Sequence, residues 1–308
     1  MDQSTVELGK LYNILNENTE NPAETFTFKI EKAGVEQSQL TYETMPTFGS
    51  SSILVAFDKG EASEPAPDNL MKYATLSLPQ YDYVGIYKYR ITEVQGTTAG
   101  VDYNKNSLIL TVTVINCPEN EGQLDRICTL KLDDETGTKV SHVTNLYSAG
   151  SLSVEKTVTG ILGDKSKEFN MTVDFTAPEG KTVNSDIKYV YNGALVTLGP
   201  DDWTDGKASV KVTLSHGESV AFANIPYGVT YTVTEAEANT DGYETSYVYN
   251  DTGEKNVIDS ADESVEIIND KGGDVPTGLA GGKMLYSGAA VVIALLAAAL
   301  IAVRRKKA

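Results

Sequence analysis

Leu108-Ile109-Leu110-Thr111-Val112-Thr113-Val114 puts leucine and valine at every second position for seven residues, the period of a strand with one face buried. The same two-residue period returns in Phe26-Thr27-Phe28-Lys29-Ile30, in Ser209-Val210-Lys211-Val212-Thr213-Leu214 and in Tyr231-Thr232-Val233-Thr234-Glu235. Turn residues lie between such runs, as in Pro178-Glu179-Gly180, Pro226-Tyr227-Gly228 and Asn250-Asp251-Thr252-Gly253. Helical periodicity is rare from Thr5 to Asn269. The reading is an all-β chain folded into antiparallel β-sandwiches, and about 270 residues suit two of them.

An internal repeat sets the boundary. Val6-Glu7-Leu8-Gly9-Lys10 opens one half and Leu152-Ser153-Val154-Glu155-Lys156 the other. Tyr89-Arg90-Ile91-Thr92-Glu93 returns as Tyr231 to Glu235, and Val143-Thr144-Asn145 as Ile267-Ile268-Asn269. Each half also has an aromatic-x-apolar strand soon after its lysine, at Phe26 to Phe28 and Phe169 to Met171. The predicted organisation is a sandwich over 1–149, a second over 150–271, and a tail over 272–308, with almost no linker between the sandwiches.

The repeated order Lys, Glu, Asn is a candidate chemistry. The members are 135 residues apart from Lys10 to Asn145 and 113 from Lys156 to Asn269, so only folding brings them together. In an apolar core, desolvation favours the neutral amine and the neutral carboxylic acid. The amine is then a nucleophile toward the Asn carboxamide, and the Glu a proton shuttle for the departing ammonia. Fixed geometry can supply ~7–11 kcal/mol of the barrier reduction. Taken singly, Lys and Glu on alternating strands are solvated outward positions and Asn is a turn residue. Recurrence of the ordered triad in both halves separates it from that background. In the first half Lys29 or Lys32 compete with Lys10 for the role.

The end of the chain reads differently. Val275-Pro276-Thr277-Gly278 is followed by a Gly-rich spacer, an apolar run from about Met284 to Val303, and Arg304-Arg305-Lys306-Lys307. The run matches the ~20 residues that an α-helix needs to cross a bilayer, and the basic cluster marks the cytoplasmic side. An ordinary membrane anchor would share the span. Motif, spacing, span and basic end together resemble a Gram-positive cell-wall sorting signal, with Val275 in place of the usual Leu. The resemblance implies sortase cleavage between Thr277 and Gly278 and loss of the helix.

Charge agrees with an exported protein. The net charge is −18, and the tail after Thr277 holds five basic residues and no acid, leaving 20 basic against 43 acidic residues before it. Such a surface repels phosphate polymers, so nucleic acid is excluded as a partner. Asp2 to Gly9 has neither the basic start nor the apolar centre of a secretory signal, which is expected to have been removed or to lie upstream. Cys117 and Cys128 flank Pro118 to Ile127 on an expected hairpin, where an exported chain could join them as a disulfide. His142 and His216 have no partners at metal-ligand spacing, and Asp201-Asp202-Trp203-Thr204-Asp205-Gly206 carries Trp203 where a calcium loop needs oxygen, so no metal and no cofactor is expected.

From Val6 to the tail, on these stretches, the chain resembles a two-domain streptococcal-type major pilin, a Gram-positive backbone subunit built from immunoglobulin-like (Cna B-like) sandwiches with self-formed Lys-Asn isopeptide bonds. The resemblance implies one bond between Lys10 and Asn145 assisted by Glu93, and another between Lys156 and Asn269 assisted by Glu235. It also implies an acceptor lysine to which a sortase joins the Thr277 acyl group of the next subunit, Lys139 by position, with Lys131 as the alternative. The implied partners are sortase, identical pilin subunits, minor pilins and peptidoglycan. The implied location is the cell wall or pilus, with the membrane involved only before processing. No enzyme constellation appears. The competing functional class is a wall-anchored adhesin or tip pilin that binds a host ligand without polymerising.

Overall fold

A computed structural model describes residues 2–16, 19–61, 71–250 and 253–273. The chain divides into two compact units. The first contains β1 (Thr5–Ile14), β2 (Glu24–Glu36), β3 (Ser52–Phe57), β4 (Met71–Ser77), β5 (Gly85–Glu93), β6 (Val101–Asp102), β7 (Leu108–Asn116), β8 (Leu124–Leu132) and β9 (His142–Tyr147). They form a four-stranded sheet, β4-β1-β9-β6, and a five-stranded sheet, β3-β2-β5-β7-β8. The inward residues of β7 are Leu108, Leu110, Val112 and Val114, all essentially buried, as its alternation requires. The two sheets meet through aromatic rings. Tyr12 of β1 packs edge-on against Phe26 of β2 and Phe57 of β3, at 4.9 and 5.5 Å between ring centres.

The second unit contains β10 (Ala149–Thr159), β11 (Phe169–Thr176), β12 (Ile187–Tyr191), β13 (Ala194–Leu198), β14 (Lys207–Leu214), β15 (Ser219–Pro226), β16 (Thr230–Glu235), β17 (Glu244–Tyr249) and β18 (Asp262–Asp270). Six strands form one sheet, β13-β12-β15-β10-β18-β17, and three the other, β14-β11-β16. Phe175 of β11 against Phe222 of β15, 5.3 Å between ring centres, ties the two layers. This unit is not one continuous stretch of chain, since Leu15–Pro22 and Thr97–Gly100 belong to it. Asn16 donates to the Ala149 carbonyl and to the Tyr227 hydroxyl, and Ala99 N–H donates to the Thr182 carbonyl.

The antiparallel expectation fails at one pair of strands in each unit, and that pair carries the site. β1 runs parallel to β9, and β10 parallel to β18. All other pairings between named strands are antiparallel. Parallel neighbours need a long crossover, and here the crossover is nearly the whole unit: its first and last strands lie side by side. Periodicity alone cannot reveal which strands pair, so this contact is invisible in any local stretch.

Among the described residues no helix is long and apolar enough to cross a membrane. The sorting motif at Val275, Pro276, Thr277 and Gly278 and the apolar run after it lie outside the described residues.

Candidate functional site

Each unit contains one buried Lys, one buried Glu and one buried Asn in contact. Lys10 is in the middle of β1, where every residue from Leu8 to Ile14 is buried, and it has no exposed surface. Lys29 is exposed, and Lys32 is partly exposed with its amine on the Glu43 carbonyl, so of the three competing lysines only Lys10 enters the core. Parallel register sets Lys10 opposite Val143 and Asn145 opposite Tyr12. Lys10 and Asn145 are therefore diagonal neighbours on one face, two residues out of step. Glu93 ends β5 in the facing sheet, opposite Phe28 of β2. Its carboxylate reaches across, with Lys10 Nζ donating to Oε2 at 2.9 Å and Asn145 Nδ2 donating to Oε1.

The second unit repeats this geometry. Lys156 on β10 stands opposite Ile267, and Val158 opposite Asn269, which gives the same two-residue diagonal. Glu235 ends β16, opposite Met171 of β11. Lys156 Nζ is 2.8 Å from Glu235 Oε2, and Asn269 Nδ2 donates to Oε1 at 2.7 Å. Lys156 and Asn269 have no exposed surface.

The aromatic-x-apolar strand noticed in each half acquires a role that the sequence did not assign to it. Lys10 Nζ lies 4.2 Å from the centre of the Phe26 ring, and Lys156 Nζ lies 4.5 Å from that of Phe169. The aromatic walls the amine, and the second apolar residue, Phe28 or Met171, sits beside the Glu. The signal was present, an aromatic at equivalent places after both lysines, but its target was not.

Burial governs the charges. Desolvation pushes the Lys10 amine down to about 8, against the opposing pull of the Glu93 carboxylate. Burial raises Glu93 above the usual carboxylate range despite Lys10 and Asn145. Lys156 is likewise lowered by burial, with Glu235 opposing. In the first cluster a proton can pass from amine to carboxylate, leaving an uncharged nucleophile against a carboxamide shielded from water, and Lys156 is buried beside Glu235 and Asn269 in the same arrangement.

Other candidate residues fall elsewhere. Lys139 is exposed, and it forms an isolated bridge with Lys131 on the outer edge of β8. The two candidate acceptors thus stand side by side, since bridge partners share a face. Cys117 and Cys128 are free, which decides against the disulfide that the sequence left open between them. Hairpin register explains it: Cys128 is opposite Val112, whereas Cys117 N–H donates to the Gln123 carbonyl beyond the strand ends. Five residues of strand, roughly 17 Å, separate their levels, far beyond the reach of a disulfide. His216 Nδ1 accepts the Val158 N–H at 3.1 Å, a structural bond in a turn, and among the described residues no His, Cys, Asp and Glu cluster could hold a metal. Asp201 and Asp202 lie in a short 3-10 turn, Pro200–Asp202.

Comparison with known proteins places these clusters in context. Residues 6–148 match the family of Spy0128-like isopeptide containing domains, and residues 150–271 match a domain of unknown function. A pilin of Streptococcus pyogenes serotype M1 is 26% identical over 303 residues, covering 88% of this chain and 82% of the pilin. A pilus tip adhesin of Streptococcus pyogenes, Cpa, is 34% identical over 131 residues, but that match covers 42% of this chain and 18% of the adhesin. The crystal structure of a major pilin from Streptococcus pyogenes superposes with a TM-score of 0.60 at 21% identity, covering 88% of this chain and 100% of that one. At that identity the likeness is one of fold, and the fold here is nearly all β and pilin-like. A first half that matches the isopeptide containing domain family, a pilin relative matched over most of the chain and a pilin-like fold together support the resemblance to the streptococcal-type major pilins.

Proposed function

We infer that this chain is a structural subunit of a cell-surface pilus shaft, made of two tandem immunoglobulin-like (Cna B-like) sandwiches that each lock themselves with a Lys-Asn isopeptide bond. The observation that carries the reading is the duplicated buried cluster, Lys10-Glu93-Asn145 and Lys156-Glu235-Asn269, in a chain whose pilin relative matches along most of its length. In each, the neutral lysine amine attacks the Asn side-chain carbon. A new C–N bond forms, the Glu carries a proton from the amine to the departing nitrogen, and the C–Nδ2 bond breaks to release ammonia. The reaction is intramolecular, occurs once and needs no cofactor, so the product is a structural protein rather than an enzyme.

Polymerisation follows from the tail. A sortase cleaves after Thr277 and joins its acyl group to Lys139 of the next subunit, with Lys131 beside it as the alternative. A head-to-tail contact of this kind does not close and so grows as a filament. Minor pilins and peptidoglycan are the other partners, and the membrane helix serves only until cleavage. The adhesin reading draws on the Cpa match, which spans too little of that protein to displace the shaft.

The test is expression in a Gram-positive host with its pilus sortase. The shaft reading expects a ladder of covalent multimers containing this chain, lost with Thr277→Ala and lost or re-routed with Lys139→Ala. A single wall-attached species, unchanged by Lys139→Ala and Lys131→Ala together, would instead favour the adhesin.

A further inference from the structure

The carboxamide of Asn145 makes a second contact that has no counterpart in the other unit. Asn104 backbone N–H donates to Asn145 Oδ1 at 2.9 Å. Asn269 Oδ1 is buried and has no hydrogen-bond partner among the described residues. A backbone N–H can only donate, so this bond fixes which end of the Asn145 side chain is oxygen and turns Nδ2, the leaving nitrogen, toward Glu93. The donor is held on both sides. Asn104 follows β6, whose pairing with β9 ends at Asp102 opposite Leu146. Its side chain donates to the Asn106 carbonyl at 2.8 Å, and its own carbonyl accepts from Gln95 Nε2 at 2.8 Å.

We propose that the peptide N–H of Asn104 is an oxyanion donor for the first cross-link, stabilising the negative charge that develops on Asn145 Oδ1 when Lys10 attacks, and that the second cross-link forms without such a donor. The proposal rests on the isopeptide reading and adds a catalytic group to it. When Nζ bonds to Cγ, the carbonyl π electrons move onto Oδ1. Glu93 takes a proton from Nζ and returns it to Nδ2. The C–Nδ2 bond then breaks, the electrons return from Oδ1, and ammonia leaves. Throughout, the N–H is already aimed at the atom that gains charge, which is how a fixed donor in a desolvated site lowers a barrier. Asn104 thus contributes through its backbone, and its side chain only positions the loop.

The decisive variant replaces the residue-104 peptide N–H by an ester oxygen with the asparagine side chain retained. The full chain is made by cell-free translation in detergent micelles, and both cross-links are followed in time by peptide mapping. The second bond in the same molecule serves as the internal reference. The proposal expects the Lys10–Asn145 bond to form on the order of tenfold or more slowly in the ester chain, with the Lys156–Asn269 bond unaffected. It expects Asn104→Ala, which keeps the N–H, to stay near the wild-type rate. Equal first-bond rates in ester and wild-type chains would overturn it. Absence of the first bond from the wild-type chain would instead overturn the isopeptide reading beneath it. Should the ester chain not fold, the unreacted Lys10→Met chain offers a second readout. A scalar coupling across the hydrogen bond from Asn104 nitrogen to Asn145 Cγ is expected, and its absence in the folded protein contradicts the proposal.

Discussion

Lys10 has a buried carboxylate, a buried carboxamide and an aromatic ring as its surroundings, and no water-exposed surface. A buried ion pair is weak evidence for stability, because desolvation can exceed the Coulombic gain. Two such pairs in matching places therefore call for a reaction that removes the charges, and amide formation does so. Glu93→Ala should leave Lys10 and Asn145 unjoined, seen as the missing cross-linked peptide, while the second bond persists. The loss of the loop closure alone should lower stability by ~5 kcal/mol, measurable by denaturant unfolding. The pH dependence follows from the shared proton. At low pH both groups are protonated and the amine is charged; loss of one proton leaves a single proton shared by the pair, the state in which a neutral amine faces a protonated carboxyl, and above about 8 that shared proton is lost, so Glu93 no longer assists the carboxamide as an acid. The rate of the first bond should be bell-shaped, rising as the pair loses its first proton and falling above about 8. A rate that keeps climbing to strongly alkaline pH would contradict this proton assignment.

At the scale of strands, a period of two was enough to read β structure, and the repeated order Lys, Glu, Asn singled out residues that meet in space. Parallel pairing of first and last strands was not legible, because register between residues more than a hundred apart leaves no mark in a local window. The repeat pointed to Lys10, but Lys29 and Lys32 stayed open beside it for the same reason: a β strand with both faces covered hides its lysine without any alternation to show it. The cysteines illustrate the converse, a sequence proximity that hairpin register annuls. Thermal unfolding of the folded protein should be the same with and without reductant, and a shift with reductant would restore the disulfide. Gly160 tests the strand end that carries Asn269. Its φ is +85°, and a Cβ there would lie 2.3 Å from the Lys271 carbonyl oxygen. That carbonyl belongs to the residue after β18, whose N–H donates to Thr159 at 3.0 Å. Gly160→Ala should cost at least ~1–3 kcal/mol and reduce the yield of the second bond, leaving the first intact in the peptide map.

Across the molecule, the two cross-links would tie the first strand of each unit to its last. The tied strands are parallel neighbours, so tension applied at the ends of a unit passes through the bond and the enclosed loop stays folded. Forced unfolding is governed by the unfolding rate, and a covalent bridge between the loaded strands removes that route. Single-molecule stretching should show no extension from the chain between Lys10 and Asn145 or between Lys156 and Asn269. Glu93→Ala should release the first loop. A high negative charge keeps such a fibre soluble and apart from anionic polymers. The signals of the tail are local, a motif, a span and a basic end, and lie outside the described residues, whereas the choice of acceptor lysine depends on neighbours in space, since Lys131 and Lys139 share one edge.

The central claim is that both clusters react. Its most direct measurement is the intact mass of the polypeptide from Asp2 to Thr277, followed by peptide mapping. The account predicts a mass short by two ammonia molecules, with cross-linked peptides joining Lys10 to Asn145 and Lys156 to Asn269. An unshifted mass, with all four residues recovered in linear peptides, would contradict it.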